Sequence, residues 1–97
     1  MGLTKPTRAP EERTGNEVRP EPPYNVILHN SWHPMTYVVY VLKKSIPGLT
    51  LKKATKIMLT AHREGRAVAK SCHKELAELY EERLKAKGLR ASIEPGA

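Results

Sequence analysis

The spacing of apolar positions divides the chain from residue 24 onward into strands and helices. Tyr24–His29 is short and rich in β-branched and aromatic residues, which predicts a strand. Its unbroken apolar run at 26–28 indicates that this strand is buried on both faces. Arg66–Cys72 alternates loosely and predicts a second strand, and residues 89–93 predict a short third strand.

Between these strands, apolar positions recur at helical spacing. Pro34 is suited to the first position of a helix over residues 35–44. A second helix is expected between an N-cap at Thr50 and a C-cap at Gly65, and a third over residues 73–87. The predicted inner faces consist of Met35, Val38, Val39 and Leu42, then Leu51, Ala54, Ile57, Met58 and Ala61, then Leu76, Ala77, Tyr80 and Leu84.

The resulting order, β-α-α-β-α-β, predicts an α+β fold with three helices packed on one face of a small three-stranded sheet. The folded domain is expected to span residues 24–97. Residues 1–23 contain five of the eight prolines, four basic and four acidic side chains, and few large apolar residues. This composition predicts a disordered, proline-rich N-terminal tail.

Composition narrows the class of protein. The chain has 97 residues, a formal net charge of +7, one cysteine and no aspartate. We expect no membrane span, because no apolar run approaches the roughly 18 residues that a span requires. The absence of an apolar N-terminal stretch and the single Cys72 favour a cytoplasmic protein.

The basic excess lies wholly in residues 24–97, where it allows contact with nucleic acid. Phosphates attract lysine without sequence readout, although no aromatic side chains interleave with these lysines as stacking platforms. A solvated helix surface is the alternative interpretation. The lysines concerned are Lys43, Lys44, Lys52, Lys53 and Lys56.

Catalytic and metal-binding patterns are weak. Glu75 and Glu78 share a helix face that is typical of solvated surface. The lone Cys72 has only a sequence-adjacent histidine, whose side chain diverges from it on a strand. His29 and His33 are four residues apart across a strand–loop junction, with no cysteine pair or aspartate beside them. The sequence therefore predicts no enzyme, no metal site and no cofactor.

A small binding site is the sharper possibility. Asn30 follows the first strand and His62 ends the second helix, so each can offer an acceptor to an ammonium group. Apolar residues on the same two helices can line a hole beside them. They are Met35, Val38, Met58 and Ala61. The alternative is that the methionines fill the core and His62 simply terminates a helix.

The order of several short motifs resembles the ClpS family, whose members deliver N-degron substrates to the Clp protease. The resemblance covers about residues 22–94. The matching stretches are Pro22-Pro23-Tyr24-Asn25-Val26-Ile27-Leu28-His29-Asn30, Pro34-Met35, Tyr37-Val38-Val39, Val41-Leu42, Ala54, Ile57-Met58, Ala61-His62, Glu64-Gly65-Arg66-Ala67-Val68, Glu75-Leu76-Ala77-Glu78 and Gly88-Leu89 to Ile93-Glu94.

The resemblance implies a non-enzymatic adaptor with the fold of the ribosomal stalk protein's C-terminal domain. Asn30 and His62 would contact a substrate's free α-amino group. Met35 would exclude β-branched side chains from a pocket for a bulky hydrophobic first residue. Met35, Val38, Met58, Ala61 and Leu89 would form that pocket.

The resemblance also implies a partner, the N-terminal domain of a Clp AAA+ unfoldase, bound by a monomer of this chain. The contact surface would include Arg66, Glu75, Glu78 and Tyr80. The tail would enter the unfoldase pore and help to hand over cargo.

One loop departs from the family pattern. The family runs Asn, two acids and about three residues before the methionine, whereas Ser31 and Trp32 follow Asn30 here and the loop is one residue shorter. We therefore expect altered cargo specificity, with Trp32 covering the pocket or meeting the second substrate residue. The alternatives are a ClpS-fold module that modulates the unfoldase without N-degron recognition, and a basic nucleic-acid- or ribosome-associated module.

Overall fold

A computed structural model of the chain describes residues 21–96, which form three strands and three helices. The elements are β1 (Tyr24–His29), α1 (Met35–Ser45), α2 (Leu51–Glu64), β2 (Arg66–Cys72), α3 (Lys74–Ala86) and β3 (Ala91–Pro95). The predicted α+β class and β-α-α-β-α-β order are confirmed. The tail predicted for 1–23 lies outside the described residues, except for 21–23.

The sheet is antiparallel, with β1 in the middle of the order β2-β1-β3. This position explains the apolar run in β1, because a central strand is shielded by neighbours and its side chains alternate between the two faces. Val26, Ile27 and Leu28 are all buried, as predicted. Val26 and Leu28 face the helices and join the main core.

Ile27 lies on the opposite face of the sheet and outside the main core cluster. On this outer face Arg66 of β2 pairs with Glu94 of β3 at 2.6 Å. Their strand partners are His29 and Asn25 of β1, so the ion pair crosses the central strand where Ile27 sits. The outer face thus has a small polar cover over one buried side chain.

The ends of α2 are fixed by capping interactions. Thr50 Oγ1 accepts a hydrogen bond from Lys53 N at 3.1 Å, and Gly65 ends α2 with a φ of 90°. Both predicted caps are confirmed. Pro34 occupies the N-cap of α1 rather than its first helical position. No described helix is long and apolar enough to cross a membrane.

The predicted third strand at 89–93 was placed two residues too early. Leu89 N donates to Leu84 O and Gly88 N donates to Lys85 O, which is the Schellman pairing that closes a helix. Gly88 supplies the left-handed residue at φ 90°. Leu89 is therefore the buried residue that follows the cap of α3, and β3 begins only at Ala91.

Candidate functional site

Asn30 is fixed by its backbone where β1 meets the end of α2. Its N–H donates to the carbonyl of Gly65 at 3.0 Å, and its own carbonyl accepts from Arg90 Nη1 at 3.3 Å. Gly65 lies three residues after His62, so the hydrogen bond brings the end of β1 beside the last turn of α2. These two bonds satisfy the backbone of Asn30, and its exposed side chain carries an amide that can hydrogen-bond a ligand.

Asn30 and His62 line the same cavity, together with the four apolar residues that the sequence placed beside them. The cavity lies between β1, the loop that follows it, α1 and α2. Its volume is about 20 Å³, which is room for about one water molecule. Its lining residues are Leu28, His29, Asn30, Ser31, His33, Met35, Val38, Met58, Ala61 and His62.

Two methionines line this cavity. Met58 is buried, whereas Met35 at the start of α1 is 44% exposed. A methionine side chain has three rotatable bonds and adapts readily to a new neighbour. A rotation of Met35 is consequently the simplest way to enlarge the cavity for a large side chain.

The loop between β1 and α1 is braced by stacked rings. Trp32 stacks on His33 with ring centroids 4.7 Å apart, and His33 stacks on Tyr37 at 5.4 Å. His33 Nδ1 is also 3.2 Å from Ser31 Oγ. The hydroxyl of Tyr37 donates to the carbonyl of Lys87 at 2.7 Å, so the stack is anchored to the end of α3.

The polar side chains that line the cavity can accept hydrogen bonds from a cation. Its polar lining residues are Asn30, Ser31 and three histidines, with no carboxylate among them. The guanidinium of Arg90 contacts the carbonyl of Asn30 from outside the cavity. An ammonium group would therefore be held by amide, hydroxyl and imidazole acceptors, without a charge–charge attraction.

The other predicted site residues lie elsewhere. Trp32 is 88% exposed and does not line the cavity, but it stacks on His33, which does. Leu89 is buried in the core and is absent from the lining. Leu28, His29 and His33 line the cavity although sequence reasoning did not assign them to the site. Of the three, only His33 lies in the loop. Its contribution depends on the loop geometry, which no local sequence signal encodes.

Three of the four residues predicted for the partner surface are exposed. Glu75 and Glu78 are exposed on α3, and Arg66 is exposed on the outer sheet face. Tyr80 is only 7% exposed, because it belongs to the inner face of α3 and packs in the core. Tyr80 therefore offers little surface to a partner.

Metal and thiol chemistry find little support in the described residues. In residues 21–96, no group of three or more histidine, cysteine or glutamate side chains is arranged so that it could hold a metal ion. His29 Nε2 instead lies 2.7 Å from Ser92 Oγ. Burial raises the pKa of the Cys72 thiol, with Lys70 opposing the shift, so the thiol form is favoured.

Comparison with known proteins places the chain among protease adaptors. Residues 19–92 match the model of the family described as ATP-dependent Clp protease adaptor protein ClpS. The chain is 45% identical to the ClpS adapter of Synechococcus elongatus, over 89% of this chain and 90% of that protein. It is 42% identical to the chloroplast ClpS-type adapter of Arabidopsis thaliana, over 95% of this chain and 58% of that one.

A solved structure with the same fold is that of Agrobacterium tumefaciens ClpS2 bound to L-phenylalaninamide. The two superpose with a TM-score of 0.70 and 31% sequence identity. The match covers 79% of this chain and all of that one.

Proposed function

Because this chain belongs to the ClpS family of Clp protease adaptors, we propose that it captures proteins by their free N-terminal residue and delivers them to a Clp unfoldase. The captured residue has a bulky hydrophobic side chain. The chain acts as a binding protein and not as an enzyme. The cavity at the junction of β1, α1 and α2 is the capture site.

One observation carries this proposal: acceptors for an ammonium group and an apolar wall line the same cavity. Asn30 and His62 supply the acceptors, and Met35, Val38 and Met58 contribute to the wall. An N-terminal residue presents an ammonium group and a side chain on the same carbon atom. A cavity with these two walls matches both groups at once.

The structural relative supports this ligand chemistry. L-Phenylalaninamide, present in the Agrobacterium ClpS2 structure, carries a free amine, an aromatic side chain and an amide in place of the carboxylate. It therefore resembles the first residue of a peptide chain. Since the present cavity holds only about one water molecule, we infer that Met35 must rotate before a comparable side chain enters.

The acid-free loop predicts altered specificity. Each hydrogen bond donated by the ammonium group contributes about 1.5–3 kcal/mol. The cavity lining has no carboxylate that would add a charge–charge attraction to these bonds. The side chain must then supply a larger share of the binding free energy. We expect a strong preference for large apolar side chains, because full burial of one contributes about 1.5–3 kcal/mol.

The partner of the adaptor is the N-terminal domain of a Clp unfoldase, and the exposed acidic face of α3 with Glu75 and Glu78 is our candidate contact. Arg66 lies on the outer sheet face and is paired with Glu94, so the candidate contact on α3 does not include it. The tail 1–23 is assigned to cargo transfer, and the adaptor acts as a monomer in the cytoplasm.

Peptide titration tests the capture site. Peptides that begin with Leu, Phe, Tyr, Trp, Val or Ala are titrated, each with a free and with an acetylated N-terminus. We expect the large apolar residues to bind best and acetylation to weaken binding at least tenfold, or about 1.4 kcal/mol. Equal binding of free and acetylated peptides contradicts the proposal.

A pair of histidine variants locates the site. His62→Ala removes a lining acceptor and is expected to weaken binding of the free peptides. His73→Ala is the matched control, because His73 is exposed and its side chain makes no cap hydrogen bond to α3. An equal effect of the two variants places peptide binding outside this cavity.

A second candidate function is supported by the small cavity and its lack of a carboxylate. In that case the chain binds the unfoldase and modulates it without reading N-terminal residues. Capture of the unfoldase N-terminal domain by a protein that binds none of the free peptides favours this candidate.

A further inference from the structure

An apolar groove runs along the outside of the α1–α2 pair, next to the candidate capture site. Its volume is about 500 Å³, against about 20 Å³ for the cavity. Its surface is mostly apolar. The lining residues are Met35, Thr36, Val39, Tyr40, Lys43, Leu51, Thr55 and Met58.

The groove exposes side chains that a folded protein normally buries. Leu51 is 60% exposed and Tyr40 is 54% exposed, although the sequence pattern assigns Leu51 to an inner face. Together with Met35 they make three of the six large hydrophobic side chains exposed in the described residues. Clustered exposed apolar surface is typical of a binding site, whereas scattered exposed residues are ordinary.

The groove is continuous with the cavity. Met35 and Met58 line both, so a chain that leaves the cavity over these two methionines enters the groove directly. Along α1 the groove extends from Met35 to Lys43, which are eight helical rises apart, or about 12 Å at about 1.5 Å per residue. An extended peptide covers that distance in about four residues.

The far end of the groove is basic. Lys43 lines it, and the amine of Lys44 lies 5.9 Å from the ring centroid of Tyr40. A carboxylate arriving at this end would meet positive charge, whereas a lysine or arginine would be repelled.

We infer that this groove binds the cargo segment that directly follows the captured N-terminal residue, with apolar side chains at positions two to four and an acidic one near position five. The inference rests on the proposed capture function. The protein then recognises about five residues of its cargo instead of the first one alone.

The test compares ten-residue peptides that all begin with Phe. One has an apolar segment at positions two to four and Glu at position five, a second has Lys at position five, and a third has Ser and Gly throughout positions two to five. We expect the first to bind about tenfold more tightly than the third, with the second in between. Equal affinities for the three overturn the inference.

Matched variants assign the effect to the groove. Leu51→Gln is expected to weaken the first peptide about fivefold and to leave the Ser/Gly peptide unchanged. Leu79→Gln is the control, because Leu79 is 39% exposed on α3 and lines neither the cavity nor the groove. The same loss in both variants contradicts a role for the groove.

Two further measurements separate the groove from the capture site and from self-association. If no free peptide binds, the proposed capture function fails and the inference fails with it. If an acetylated apolar–acidic peptide binds and Leu51→Gln weakens it, the groove is supported while amine capture is not. Sedimentation that shows a dimer lost in Leu51→Gln identifies a second copy of the chain as the occupant and overturns the inference.

Discussion

Ser45 is a buried polar residue in the last turn of α1, and its hydroxyl oxygen has no hydrogen-bond partner among the described residues. Its carbonyl is engaged by Arg83 Nη1 at 3.2 Å, but that bond does not satisfy the side chain. A buried hydroxyl without a partner costs about 1–3 kcal/mol.

Replacing Ser45 by alanine should therefore stabilise the protein. Ser45→Ala removes the unpaired oxygen and introduces the best helix former, so we expect a gain of about 1 kcal/mol in the free energy of unfolding. Urea denaturation followed by circular dichroism measures it. The contrasting variant is Thr50→Ala, which loses the N-cap hydrogen bond of α2 and should cost about 1 kcal/mol. A Ser45→Ala protein less stable than the parent contradicts this account.

Individual residues also show where sequence reasoning succeeds and where it stops. The convergence of Asn30 and His62 on one cavity could be anticipated, because each closes an element that the pattern defines well. The stacking of Trp32, His33 and Tyr37 could not be anticipated, since it depends on the path of an irregular loop.

At the scale of elements, Gly65 joins the end of α2 to the start of the candidate site. It adopts a left-handed conformation, and an added Cβ would meet nothing within 4 Å. Gly65→Ala should therefore cost about 1–2 kcal/mol through backbone strain alone. Since its carbonyl accepts from the Asn30 N–H, we also expect weaker peptide binding.

Gly48→Ala is the matched control for this effect. Gly48 also has positive φ and open space around its Cβ position, but it follows α1 and lies away from the cavity. Thermal melts should show a similar loss of stability for both variants, whereas peptide titration should show a loss only for Gly65→Ala. Weaker peptide binding in Gly48→Ala would indicate a general effect of instability.

The elements differ in how well their pattern defines them. The bounds of β1, α2 and β2 were predicted as the structure has them, because caps, glycine and proline mark their ends. The start of β3 was misplaced because the residue after a Schellman cap is buried and apolar, like a strand residue. The sequence pattern did not predict the groove. Residues 37–42 of α1 are all apolar or aromatic, and because one helix cannot turn them all toward the core, some remain on the surface.

At the scale of the whole molecule, cargo and unfoldase are assigned to different surfaces. The cavity is lined by residues of β1, α1, α2 and one loop, and none of α3. Glu75 and Glu78 are exposed on α3. An adaptor must hold both partners at once, and this separation allows it.

Neutralising the acidic face of α3 tests this assignment. We expect the double substitution Glu75→Gln and Glu78→Gln to weaken binding to the unfoldase N-terminal domain at least tenfold and to leave peptide affinity within about twofold. Calorimetry with the isolated domain and fluorescence titration with peptide measure the two. The matched control replaces Glu81 and Glu82 of the same helix by glutamine, since Glu81 already pairs with Lys85 at 3.2 Å. If the control loses as much unfoldase binding, the contact depends on the overall charge of α3.

The order of the sheet, β2-β1-β3, bears on whether this protein aggregates with other chains. Within residues 21–96, both outer strands have one unpaired side, and such edges recruit other extended chains into aggregates. Here β2 carries Arg66 and Lys70, and β3 ends at Pro95, which has no N–H to offer. Charge and proline at edges discourage strand addition. Under the proposed function the protein meets chains on their way to being unfolded, and these edges would limit its aggregation with them.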